Sequence, residues 1–129
     1  MMNETIKTLL AVGAGSAIGG AVRYLLSRLV LTSPDSAMPY ATLAANIAGC
    51  LLIGLFYGLS EQGIIQSPTL KLFLTVGICG GLTTFSTFMN ENVQMMHNSN
   101  ITGIAFYITI STICGFFAII VGNYAAKVL

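Results

Sequence analysis

Four long apolar runs, separated by short polar breaks, organise this chain. The first covers about residues 6–31 and ends in Thr32-Ser33-Pro34-Asp35-Ser36, where Pro34 removes a backbone donor. The second covers about 40–59 and is followed by Glu61-Gln62-Gly63. Ser67-Pro68-Thr69 then reads as the entry to a helix, with proline near its first turn. The third run covers about 70–96 and stops at the polar turn His97-Asn98-Ser99-Asn100. The fourth covers about 101–127. A membrane-spanning helix needs about 20 mostly apolar residues, and each run supplies them. The pattern predicts an all-α integral membrane fold, with residues 1–129 forming a single transmembrane domain of four helices.

The connections are short, so neighbouring spans are expected to be antiparallel and the two termini to share a side. Lys7, Lys71 and Lys127 fall on the terminal side and Arg28 on the other. That bias favours termini inside. So small a count is also compatible with insertion in both orientations. The first apolar run is longer than a signal peptide and ends in no clear small-residue cleavage site, so the first span is expected to be retained.

Composition agrees with lipid as the solvent. Hydrophobic residues make up 55% of the chain and charged residues 7%, against roughly 25% charged in globular domains. The formal net charge is +1, which provides no basic field for nucleic acid and no acidic tail. Cys50, Cys79 and Cys114 lie within apolar runs without metal-ligand spacing and read as buried reduced thiols.

Polar positions inside the spans are the candidates for chemistry. In the first, Gly15 and Gly19 form a small-xxx-small pair that lets a neighbouring backbone approach closely. Arg23 follows, roughly 12 Å from the helix end at about 1.5 Å per residue. It either snorkels to the interface or places a cation in a water-filled vestibule that attracts anions. Arg28, nearer the end, reads as an interface anchor. Asn46 is mid-span in the second helix, one turn after Thr42 on the same face. Its amide needs partners at membrane depth, either as an interhelical bond or as a donor facing a pore. In the fourth span Tyr107 and Ser111 share a face, with Thr112 beside them, as a polar track or as interhelical hydrogen bonds.

The third span holds the strongest signal. Gly77-Ile78-Cys79-Gly80-Gly81 is followed by Leu82-Thr83-Thr84. Glycines weaken a helix and hydroxyls offer its backbone other partners. A break at this block frees carbonyls and amides, which is tolerated only where they are buried in protein or line a cavity. Freed carbonyls suit a cation, and a new half-helix N-terminus suits an anion. Phe85 and Phe88 come next on one helical face, with Ser86 and Thr87 adding hydroxyls. The two phenylalanines are core residues or, through their positive ring edges, the lining of an anion path.

Gly19-Gly20-Ala21-Val22-Arg23-Tyr24, Thr42-Leu43-Ala44-Ala45-Asn46-Ile47-Ala48-Gly49 and Gly80-Gly81-Leu82-Thr83-Thr84-Phe85-Ser86-Thr87-Phe88 together resemble the Fluc (CrcB) fluoride channels. The likeness covers essentially the whole chain, and the glycine block followed by paired phenylalanines is its most specific part. It implies a fluoride-selective channel in the cell inner (plasma) membrane, built as a dual-topology homodimer of antiparallel copies. Two pores would lie at the subunit interface, around a central structural sodium ion. Carried onto this sequence, the carbonyls of Gly80 and Thr83 would hold sodium. Phe85, Phe88, Asn46 and Ser86 would line the fluoride path, Arg23 would be the vestibule cation, and Thr42, Tyr107 and Ser111 are weaker candidates for the same path.

Three rival readings fare worse. A small four-helix proton-coupled multidrug exporter needs a titratable carboxylate at membrane depth. The first span has none, Glu61 falls in a loop, and Glu91 lies after the break toward a helix end. A scaffold that packs through its glycine helix has no use for a broken third span. An intramembrane enzyme lacks a Ser/His or paired-carboxylate arrangement, so no catalytic activity is expected.

Overall fold

The computed structural model describes residues 2–30 and 38–129. The end of the first span at Leu31 and the Pro34 break lie outside the described residues. Helix α1 is Met2–Leu29, α2 is Tyr40–Glu61 and α6 is Ile101–Lys127. The third span is built in pieces. It comprises α3 (Pro68–Leu72), a π-helical stretch (Phe73–Cys79), the short α4 (Gly80–Leu82) and α5 (Ser86–His97). Four stretches, with 68–97 taken as one, are long and apolar enough to cross a membrane.

Local chemistry sets the ends. Pro68 is at the first position of α3, and the Ser67 hydroxyl accepts from the Leu70 N–H at 3.2 Å. The polar turn before α6 ends on Asn100, whose Oδ1 accepts from the Gly103 N–H at 2.9 Å. At the start of the π-helical stretch the Thr75 hydroxyl donates to the Lys71 carbonyl at 2.8 Å. Such a bond competes with the helical ladder and bends it.

Packing divides the helices into two close pairs, α1 with the third span and α2 with α6. In the first pair a Cβ at Gly15 would stand 2.6 Å from the Phe73 carbonyl oxygen and 2.9 Å from the α-carbon of Gly77. One turn on, a Cβ at Gly19 would collide with the Ile78 carbonyl. Without a hydrophobic drive between helices in lipid, this close approach is what holds them. The α2–α6 crossing uses the same device, with Gly54 against the Ile119 carbonyl and Gly122 against that of Leu51. Exposed apolar side chains such as Leu9, Leu29, Phe106 and Val121 cover the outside.

The structure narrows the break to the middle of the predicted segment, residues 80–88. Gly80 has φ −64° and ψ −36° and remains helical. The chain opens three residues later, at Thr83, with φ −87° and ψ 156°. The glycines of the block serve approach rather than rupture. Gly77 meets Gly15, and Gly81 meets Ser16 and Gly20. The hydroxyl-bearing residues do the opening, because their side chains take over bonds the helix would have made.

Candidate functional site

The opening at Thr83–Phe85 is held by side chains from both flanking helices. Asn46 on α2 pairs with the backbone of Thr84 at both ends of its amide. Its Oδ1 accepts from the Thr84 N–H at 2.8 Å, and its Nδ2 donates to the Thr84 carbonyl at 3.2 Å. The Thr84 N–H would otherwise close an α-turn on the Gly80 carbonyl. Arg23 on α1 donates from Nε to the Gly81 carbonyl at 3.3 Å. The Cys79 carbonyl takes both the N–H and the hydroxyl of Thr83, at 3.0 and 2.9 Å. The Thr84 hydroxyl accepts from the Thr87 N–H at 3.2 Å and starts α5. Among the described residues no hydrogen bond reaches the carbonyl of Gly80 or Thr83. The Leu82 carbonyl has no partner among them either, so the oxygens of Gly80, Leu82 and Thr83 are left over between the bonded carbonyls of Cys79 and Thr84.

Beside the opening lies a groove of about 460 Å³, formed by α2, the third span and α6. Asn46, Gly80, Thr83, Phe85, Phe88 and Ser111 all border it. Gly49 also lines it, and a Cβ there would strike the Thr83 methyl, so the opened chain rests directly on α2. The Phe85 and Phe88 rings are 6.2 Å apart between centroids and tilted by 47°. Phe88 meets the Tyr107 ring edge-on at 4.8 Å. Phe85 is 73% exposed where it borders this groove. The Ser111 hydroxyl is buried with no partner among the described residues. Asn92, buried on α5, likewise leaves Oδ1 without a partner while its Nδ2 donates to the Phe88 carbonyl.

A second, smaller cavity of about 240 Å³ is lined by Arg23, Tyr24, Ser27, Thr42, Thr84 and Thr87, among others. Arg23 is half-buried there rather than extended to a lipid headgroup. Next to it, three spans meet at one carboxylate. Glu91 accepts from the Thr42 hydroxyl on Oε2 at 2.9 Å and from the Tyr107 hydroxyl on Oε1 at 2.9 Å. Tyr107 is fully buried.

The structure therefore brings Asn46, Phe85, Phe88, Ser111, Gly80 and Thr83 onto one groove, and Arg23 and Thr42 onto the adjoining cavity. Tyr107 joins them through Phe88 and Glu91. Ser86 stands apart. It is exposed at the start of α5 and borders neither of these two cavities.

The sequence profile described as "CrcB-like protein, Camphor Resistance (CrcB)" matches residues 10–123. The chain belongs to the CrcB family. A relative from Flavobacterium psychrophilum, named "Fluoride-specific ion channel FluC", is 43% identical over 124 residues, covering 96% of this chain and all of the relative. One of the same name from Clostridium perfringens is 42% identical over 125 residues, covering 95% and 98% of the two chains. Another, from Phocaeicola vulgatus, is 38% identical over 122 residues, covering 95% and 100%.

Against this CrcB framework, Glu91 is the residue that reading the sequence missed. It was placed toward a helix end, yet it sits midway along α5 with both oxygens engaged inside the bundle. The signal was present, since a carboxylate within a span asks for partners. Thr42 and Tyr107 were both singled out, but their spacing to Glu91 crosses three spans and no local periodicity joins them. The role of Gly49 was equally hidden, because small residues along α2 also read as simple helix packing.

Proposed function

We propose that this CrcB-family protein is a fluoride-selective channel that lets fluoride leave the cell passively across the inner membrane. The observation that carries the reading is the Phe85–Phe88 pair on an open groove directly after the opened third span. Fluoride is small and strongly hydrated, so a pore must replace its water with donors and must do so weakly enough to release it. The groove supplies that mixture. Asn46 spends one Nδ2 proton on Thr84 and keeps a second. Ser111 has an unpartnered hydroxyl. Ring edges add positive quadrupole without a fixed charge. Arg23 in the adjoining cavity raises the local anion concentration. Relatives bearing the name "Fluoride-specific ion channel FluC" point the same way.

The groove is one-sided, and a second copy completes it. An antiparallel homodimer inserted with dual topology would carry two such pores, and the small bias of flanking charge supports insertion both ways. At the dimer centre, the unbonded carbonyls of Gly80 and Thr83 suit a hard monovalent cation, for which oxygen donors are the natural ligands. Sodium bound there would supply a fixed structural charge at the crossing. Glu91 gives the exporter reading a carboxylate inside the bundle, but both of its oxygens are hydrogen-bonded.

Substitution of the rings tests the reading. Phe85→Ile and Phe88→Ile should each lower fluoride efflux from proteoliposomes by at least about tenfold, the effect of some 1.4 kcal/mol at the barrier. Undiminished flux in both variants, with the dimer intact by size-exclusion chromatography, rejects the ring-edge path.

A further inference from the structure

Three carbonyls around the opening are fixed by side chains, and that of Gly81 is fixed from another helix. That of Cys79 is bonded by Thr83, that of Gly81 by Arg23 and that of Thr84 by Asn46. Those of Gly80, Leu82 and Thr83 stay unbonded among the described residues, and of these Gly80 and Thr83 border the groove. We propose that Arg23 is a positioning residue for a sodium site, selecting Gly80 and Thr83 as its donors by holding the Gly81 carbonyl toward α1. The inference rests on the sodium reading above and gives Arg23 a task that its charge does not perform.

The physical ground is the shortness of α4. Its three residues, Gly80–Leu82, follow a widened π-helical stretch and precede an extended residue. Such a turn has no ladder of its own to fix its peptide planes. Two of its residues are glycines, which have the greatest backbone freedom to lose. The Arg23 Nε–H, 3.3 Å from the Gly81 oxygen, fixes the plane next to that of Gly80. The α1 backbone lies hard against Gly81, so the clamp and the clamped peptide belong to the same crossing. A cation site is only as strong as its donors are preorganised. Releasing the Gly81 carbonyl lets α4 reorient and adds a competing oxygen outside the set.

A purely electrostatic Arg23 has the opposite signature. A guanidinium near bound sodium repels it, so removing the charge would tighten sodium binding, and exchanging Arg for Lys would change little. The clamp depends on the planar guanidinium, whose Nε donor lies back along the chain where lysine carries only a methylene. Both Arg23→Lys and Arg23→Gln then weaken the site.

The test is thermal unfolding of the purified full-length protein in detergent, followed by circular dichroism. Sodium chloride is titrated against N-methylglucamine chloride at constant ionic strength. A cation that binds only the folded protein raises its stability with concentration, and the half-point reports affinity. The wild type should be stabilised by sodium, and both variants should need about three- to tenfold more, the range set by one hydrogen bond. An unchanged half-point in both variants overturns the inference, as does a lower half-point in Arg23→Gln with Arg23→Lys unchanged. If Arg23→Gln does not fold, Arg23→Lys decides by the same criterion. A wild type indifferent to sodium overturns the sodium reading itself, and the clamp with it, whereas fluoride flux still tests the channel.

Discussion

Asn46 shows how one side chain can define a broken helix. Its amide matches the donor and acceptor of Thr84, so the N–H and carbonyl of that one residue are satisfied without water. Asn46→Leu should leave both groups of Thr84 unpaired and cost about 1–3 kcal/mol for each, read as a fall in the unfolding midpoint in detergent. Asn46→Asp keeps the acceptor but loses the donor, so its midpoint should fall between the two. Tyr107→Phe is a milder probe of the neighbouring cluster. The ring keeps its edge contact with Phe88 while Glu91 Oε1 loses its donor. A loss of about 1 kcal/mol is expected when this half-buried carboxylate loses one of its two hydrogen bonds. An unchanged midpoint would mean that another donor replaces the hydroxyl.

Between elements, the glycines of α1 and the third span set the crossing, and their effects should be sharply local. Gly19→Val drives a branched side chain into the Ile78 carbonyl and should cost well over the roughly 1–3 kcal/mol of ordinary overpacking. Gly13→Ala meets nothing within 4 Å and should be neutral or slightly stabilising by helix propensity. Thermal midpoints of the two variants check the contrast. Much of this level was legible in the sequence. The four apolar runs, the Ser67-Pro68 entry and the small-residue face of α1 all follow from local pattern. So does the interruption within residues 80–88, but not the exact residue at which the helix opens. Weak helix propensity covers the whole block from Gly77 to Thr84, but Gly77 and Gly81 pack against α1 and Gly80 stays helical. The opening falls where Asn46 takes the Thr84 N–H, a contact between residues 38 positions apart. Glu91 was missed for the same reason, because hydrogen bonds between spans leave no periodic trace.

At the scale of the molecule, the open groove is the feature that asks for explanation. The chain buries Tyr107 completely yet leaves Phe85 largely exposed, beside unbonded carbonyls and an orphan hydroxyl, on one wall of an open groove. On the proposed reading the other wall is a second copy, and the assembled interface conducts fluoride. The most direct measurement is efflux from proteoliposomes loaded with potassium fluoride or potassium chloride, with valinomycin to carry the counter-ion and an electrode selective for the anion. The account predicts rapid fluoride release from vesicles containing the protein and no chloride release above that of empty vesicles. Correctly folded protein that leaves fluoride inside, or releases chloride equally fast, would contradict it.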